Sequence, residues 1–199
     1  MNVGIYAGTF DPVHKGHIDF ATHAIEQCSL DRVVVVAEKK PYRKQPHASW
    51  DHRQAMIERA TSEISGVDHD YAFASVLAHQ HTMKDMLGVA EKHYGVDNKF
   101  WFLVGSDMFE HMHQWRDVAQ NQHYEGFIVA LRDDHTEHWL TEKRIRMHQQ
   151  GFNPEVMVID SPQPHVSSSG IRATIQAQQR PVELTESVYK YIADHKLYN

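Results

Sequence analysis

The sequence predicts a doubly wound α/β fold, a mainly parallel sheet with helices on both faces. Three observations predict it. Short apolar or β-branched runs recur along the chain, longer segments with helical spacing lie between most of them, and the chemically unusual residues cluster directly after the runs. Strand and helix in alternation imply right-handed crossovers and parallel pairing. In such a sheet ligands bind outside the carboxyl ends of the strands.

The runs at 3–7, 32–37, 71–74, 100–104, 127–131 and 156–159 read as strands buried on both faces. Helical spacing marks 18–28, 51–65, 82–94, 108–120 and 142–150, and two more helices, about 168–179 and 185–195, are separated by Pro181. The segments after the runs are 8–17, 39–44, 105–107, Arg132 and 165–172. Five loops are therefore expected at one sheet edge.

No Pro/Gly/Ser-rich linker interrupts the 199 residues, so one domain spanning 1–199 is expected, its C-terminal helices from about 168 included. Hydrophobic residues at 41% and dispersed charges at 23% exclude a disordered chain. The formal charge of −6 disfavours a general nucleic-acid binder, so any phosphate site must be local. No basic start with an apolar core and no apolar run near the roughly 20 residues of a bilayer span is present, so a cytoplasmic location without membrane association is expected. The single cysteine, Cys28, excludes an internal disulfide and a cysteine-based zinc cluster, and its helical setting predicts packing. The 17 histidines include the pairs His79/His81 and His111/His113, but no repeated ligand spacing, so no protein metal site is expected.

The first loop reads Gly8-Thr9-Phe10-Asp11-Pro12-Val13-His14-Lys15-Gly16-His17. It leaves a strand, turns at Asp-Pro and enters a helix whose first amides can hold phosphate. His14 and His17, three residues apart, fall on one face and can grip one phosphate group. Gly16 removes a side chain beside that grip, and Gly8 permits close backbone approach. The second segment is Val166-Ser167-Ser168-Ser169-Gly170-Ile171-Arg172. Its serines can cap a helix while facing a phosphate, and Arg172 adds a forked cation in the first turn. Neither Gly-x-Gly-x-x-Gly after the first run nor a P-loop pattern occurs.

The first segment resembles the signature of the nucleotidylyltransferase superfamily, whose His-x-Gly-His motif is shared with class I aminoacyl-tRNA synthetases. The second resembles the Ile-Ser-Ser-Thr-x-Ile-Arg element of bacterial nicotinate-nucleotide adenylyltransferases. The chain's ending, including Val188-Tyr189-Lys190-Tyr191-Ile192-Ala193, is also similar to that family's last helix. The resemblance implies a Rossmann-like fold and transfer of AMP from ATP to nicotinate mononucleotide, releasing pyrophosphate, in NAD biosynthesis.

It further implies His14, His17 and Arg172 as catalytic residues. Gly8, Thr9, Phe10, Gly16, Gly105, Asp107, Ser167, Ser168, Ser169 and Ile171 would bind ATP. Arg43, Lys44, Thr82, Trp115 and Arg132 would bind the acceptor. Mg2+ would accompany ATP, held by phosphate oxygens and water, and self-association is left open. Three departures fall on the acceptor side: Gln45-Pro46-His47-Ala48 stands for Pro-Pro-His-Lys, Asp85 for the second threonine of Thr-x-x-Thr, and Asp133-Asp134 for Pro-Gly. The alternatives are a nucleotidyltransferase with another phosphorylated acceptor, such as nicotinamide mononucleotide, a non-catalytic nucleotide-binding regulatory protein, and a histidine-rich metal carrier.

Overall fold

A computed structural model describes residues 1–41, 44–77, 83–109, 123–131, 136–149, 151, 153–160, 163 and 165–199. The chain runs β1 (Asn2–Gly8), α1 (Lys15–Cys28), β2 (Arg32–Ala37), α2 (Trp50–Thr61), β3 (Val67–Asp68), α3 (Tyr71–Leu77) and α4 (Met83–Tyr94). It continues through β4 (Lys99–Gly105), α5 (Ser106–Phe109), β5 (Tyr124–Leu131), α6 (Glu137–Gln149), β6 (Glu155–Asp160), α7 (Ser168–Gln176) and α8 (Glu186–Asp194). The strands form one sheet in the order β3-β2-β1-β4-β5-β6, with every neighbouring pair parallel. The strand order reverses between β1 and β4, and the crevice at such a switch point is where doubly wound sheets bind ligands.

Side chains alternate between faces along a strand, and here both faces are covered. In β2, Val33, Val35 and Ala37 join a core completed by Ile18 and Ala21 of α1, Met56 and Ile57 of α2, Ile171 of α7 and Val188 and Ile192 of α8. Val34 and Val36 enter a second core with Phe73 of α3, Leu87 of α4, Phe109 of α5 and Leu140 of α6. Gly4 is required at the centre: a Cβ there would lie 2.8 Å from Leu103 and 2.9 Å from Leu30 and Val33.

The structure departs from expectation at 71–74, which is helical. Asp70 Oδ1 accepts the Phe73 N–H at 2.9 Å and so caps α3. The apparent alternation of Tyr-Ala-Phe-Ala is one helix turn with Phe73 and Ala74 buried and Tyr71 exposed. The third strand lies earlier, as a two-residue segment paired with Val33 and Val34. The helix expected at 108–120 begins at Ser106 and is described to Phe109; residues 110–120 lie outside the described set. Cys28 is buried as packing predicts, and burial raises its thiol pKa. Among the described residues no helix is long and apolar enough to cross a membrane.

Candidate active site

The carboxyl ends of β1, β2, β4 and β5 and the start of α7 enclose a cleft of about 440 Å³. Its wall comes from the β1–α1 loop, the segment after β2, Gly105 and Asp107 after β4, and Ser167, Ser168, Ser169 and Arg172.

His14 is the N-cap of α1 rather than a residue of its first turn, with an extended backbone and a buried side chain. His17 reaches back so that its Nδ1 accepts the His14 backbone N–H at 3.2 Å, as a Glu or Gln does in a capping box. A backbone N–H can only donate, so the His17 ring proton sits on Nε2. The two imidazoles stack with centroids 3.5 Å apart. Edge contacts from Phe10 at 4.9 Å and Tyr6 at 6.1 Å confine the His17 ring. A Cβ on Gly16 would come within 3.3 Å of His14 Nδ1, which explains the small residue between the histidines. Phe10 has φ 47°, in the left-handed region, while its side chain is buried.

Asp11 organises this loop. Its Oδ2 accepts the His47 N–H at 2.7 Å, and its Oδ1 accepts the Ala48 N–H at 3.0 Å and the Tyr198 hydroxyl at 2.8 Å. The His47 ring lies 3.3 Å from Oδ2. Burial and the neighbouring Asp11 carboxylate push the Tyr198 phenol well above its ordinary range, so it remains a donor. The second phosphate-binding candidate is tied to the same loop: Arg172 Nη1 donates to the Asp11 carbonyl at 2.7 Å, and Ser168 Oγ donates to the Pro12 carbonyl at 2.9 Å. Ser167 caps α7 by accepting the Gly170 N–H at 3.1 Å. Beneath the loop the buried Arg53 donates to the carbonyls of Thr9 at 2.7 Å, Glu38 at 2.8 Å and Ala48 at 3.3 Å. Neither α1 nor α7 carries an acidic residue in its first turn, so both helix starts keep a positive end toward the cleft. Among the described residues no three His, Cys, Asp or Glu side chains converge as metal ligands.

A family model described as cytidylyltransferase-like matches residues 5–174, a span that holds both motifs. The chain belongs to that family. Among relatives of this cytidylyltransferase-like chain, a "probable nicotinate-nucleotide adenylyltransferase" of Solibacter usitatus is 31% identical over 206 residues, covering 100% of both chains. One of the same description from Clavibacter michiganensis is 28% identical, covering 100% of this chain and 94% of the relative. In fold the chain is similar to a Plasmodium falciparum nicotinic acid mononucleotide adenylyltransferase complexed with NaAD. There the TM-score is 0.75 and the identity 18%, over 99% of this chain and 97% of the other.

The cleft brings together His14, His17, Arg172, Gly8, Thr9, Phe10, Gly16, Gly105, Asp107, Ser167, Ser168, Ser169 and, on the β2 side, Lys44. Ile171 is not on the cleft wall. Its helical position turns it into the core with Val188 and Ile192, at 3% exposure. Arg43, Thr82, Trp115 and Arg132 lie outside the described residues. Sequence reading missed Glu38 and Gln163 on the wall, named Gln45 and His47 only as departures in the acceptor-side loop, and missed Asp11 and Tyr198 as the tie between loop and C-terminal segment. Asp11 carried a legible signal, an acid inside the loop motif. Tyr198 carried none, because its partner is 187 positions away.

Proposed function

We propose that the chain transfers AMP from ATP to nicotinate mononucleotide, releasing pyrophosphate, at the dinucleotide-forming step of NAD synthesis. The observation that carries this reading is the meeting of two acid-free helix starts at one cleft, α1 with its stacked histidines and α7 with Ser167 and Arg172. A triphosphate is the ligand such a pair of cradles suits. The names of the relatives supply the acceptor.

An acceptor phosphate oxygen attacks the α-phosphorus in line. The new bond is O–Pα, the bond to the bridging oxygen toward Pβ breaks, and pyrophosphate leaves with that oxygen. No general base is required, since the second ionisation of a phosphate monoester lies near pKa ~6. Catalysis is positioning and charge stabilisation. His17, held by Phe10, Tyr6 and the His14 N–H, donates toward the α-phosphate, and His14 supports the same group. Ser167, Ser169 and the remaining guanidinium donors of Arg172 receive the β- and γ-phosphates. Ser168 holds the loop through Pro12 instead. Mg2+ arriving with ATP would be held chiefly by phosphate oxygens and water, with Asp107 as a carboxylate on the ATP side of the wall, and would supply charge neutralisation for the leaving pyrophosphate.

The test is pyrophosphate release by the purified chain with ATP and a panel of mononucleotides. Nicotinate mononucleotide is expected to give the highest kcat/KM. ATP binding without turnover on any acceptor overturns the enzymatic reading in favour of a nucleotide-responsive regulator. Preference for nicotinamide mononucleotide overturns the acceptor assignment alone.

A further inference from the structure

The β2 side of the cleft carries a carboxylate that the reaction above leaves unused. Glu38 directly follows β2. Its N–H donates to the Gly8 carbonyl at 2.8 Å and its carbonyl accepts from Arg53 at 2.8 Å, so its main chain is locked to the β1 loop. Its side chain is half-buried on the cleft wall and accepts no hydrogen bond from a described residue. Burial raises its pKa against the opposing pull of Lys44 and Arg53. A carboxylate withdrawn from water needs donors, and this one belongs to the cleft wall.

The arrangement of the sheet says which ligand passes it. The phosphate cradles follow β1 and β6, and Gly105 and Asp107 follow β4, which on the proposed function gives the β4 side of the switch point to ATP. Glu38 stands on the other side of β1, beside Lys44, a residue that the proposed function gives to the acceptor. The Glu38 carboxylate disfavours an anionic group directly against it, while Lys44 on the same side suits one. Nicotinate mononucleotide offers hydrogen-bond donors only at its ribose hydroxyls, and an ionised carboxylate, which can only accept, pairs with such donors.

We propose that Glu38 is a specificity-determining residue that accepts hydrogen bonds from the ribose diol of the acceptor nucleotide. This assignment rests on the proposed function. The test compares the full chain with Glu38→Ala and Glu38→Gln, using ATP or 2′-deoxyATP as donor. The acceptor is nicotinate mononucleotide or its 2′-deoxy or 3′-deoxy form. The unaltered chain is expected to lose roughly tenfold or more in kcat/KM on at least one deoxy acceptor. Glu38→Ala loses a similar factor on the ribose acceptor and treats ribose and deoxyribose alike. Glu38→Gln, which keeps an accepting oxygen without the charge, falls between, and the KM for ATP stays constant throughout. If Glu38→Ala discriminates as strongly as the unaltered chain, or its loss of discrimination appears with 2′-deoxyATP instead, the assignment is overturned while the function stands. Absence of pyrophosphate release by the unaltered chain with every acceptor overturns the function and the assignment together.

Discussion

The starts of α1 and α7 differ from those of α2 and α8 in one respect that matters. All four begin at a capping residue, and three of the caps are hydroxyls: Ser49 accepts from His52, Ser167 from Gly170 and Thr185 from Val188. But α2 carries Asp51 and α8 carries Glu186 in the first turn, whereas α1 and α7 carry no acid. An acid there is worth about 0.3–1 kcal/mol to a helix through the dipole. The two helices at the cleft forgo that stabilisation and keep their positive ends for a ligand. In a chain with a net charge of −6, these two helix starts stay free of acid.

His17→Ala gives the largest expected effect. Turnover falls on the order of 10² to 10³, by analogy with loss of a transition-state donor, while stability changes by no more than about 1 kcal/mol. Pyrophosphate release and urea titration of the same preparation check both halves. Next is Ser169→Asp, which makes the start of α7 resemble α2, where Asp51 stands at the same place after the cap. The thermal midpoint holds or rises slightly, while the KM for ATP rises about tenfold, opposite signs that a purely structural serine would not produce. Thr185→Ala removes the cap of α8, which is not on the cleft wall, and is expected to lower stability by about 1 kcal/mol without moving either KM.

The smallest effect at neutral pH comes from α3, whose cap is itself an acid, Asp70. Burial alone would raise the Asp70 pKa, but the Phe73 N–H, His93 and the Tyr94 hydroxyl outweigh it and hold the carboxyl below the ordinary aspartate value. A depressed native pKa contributes stability that is present above the unfolded value and lost as pH falls through the native one. Urea midpoints of the unaltered chain and Asp70→Asn should therefore differ near neutrality and converge on acidification. A gap that widens toward low pH contradicts this reading.

Most strands were legible because strands buried on both faces leave continuous apolar runs such as Val33–Val36. Residues 71–74 misled because Phe73 and Ala74 are buried by packing onto β2, a tertiary cause that imitates a strand pattern over four residues. The phosphate-binding candidates were legible because each is a short local motif at a helix start. The ties between them were not. Asp11 meets His47, Ala48, Arg172 and Tyr198 across gaps of 36 to 187 positions, and no local spacing encodes such contacts. Ile171 sat inside a binding motif and still faces the core, because a helix distributes consecutive residues around its axis.

The most direct test follows where the phosphates of ATP go. With nicotinate mononucleotide and ATP labelled at the α- or the γ-phosphate, label from the α position should appear in the dinucleotide and label from the γ position in pyrophosphate. Both transfers should fall together in His17→Ala. Label from the γ position in the acceptor product, or release of free AMP without a dinucleotide, would contradict adenylyl transfer at this cleft.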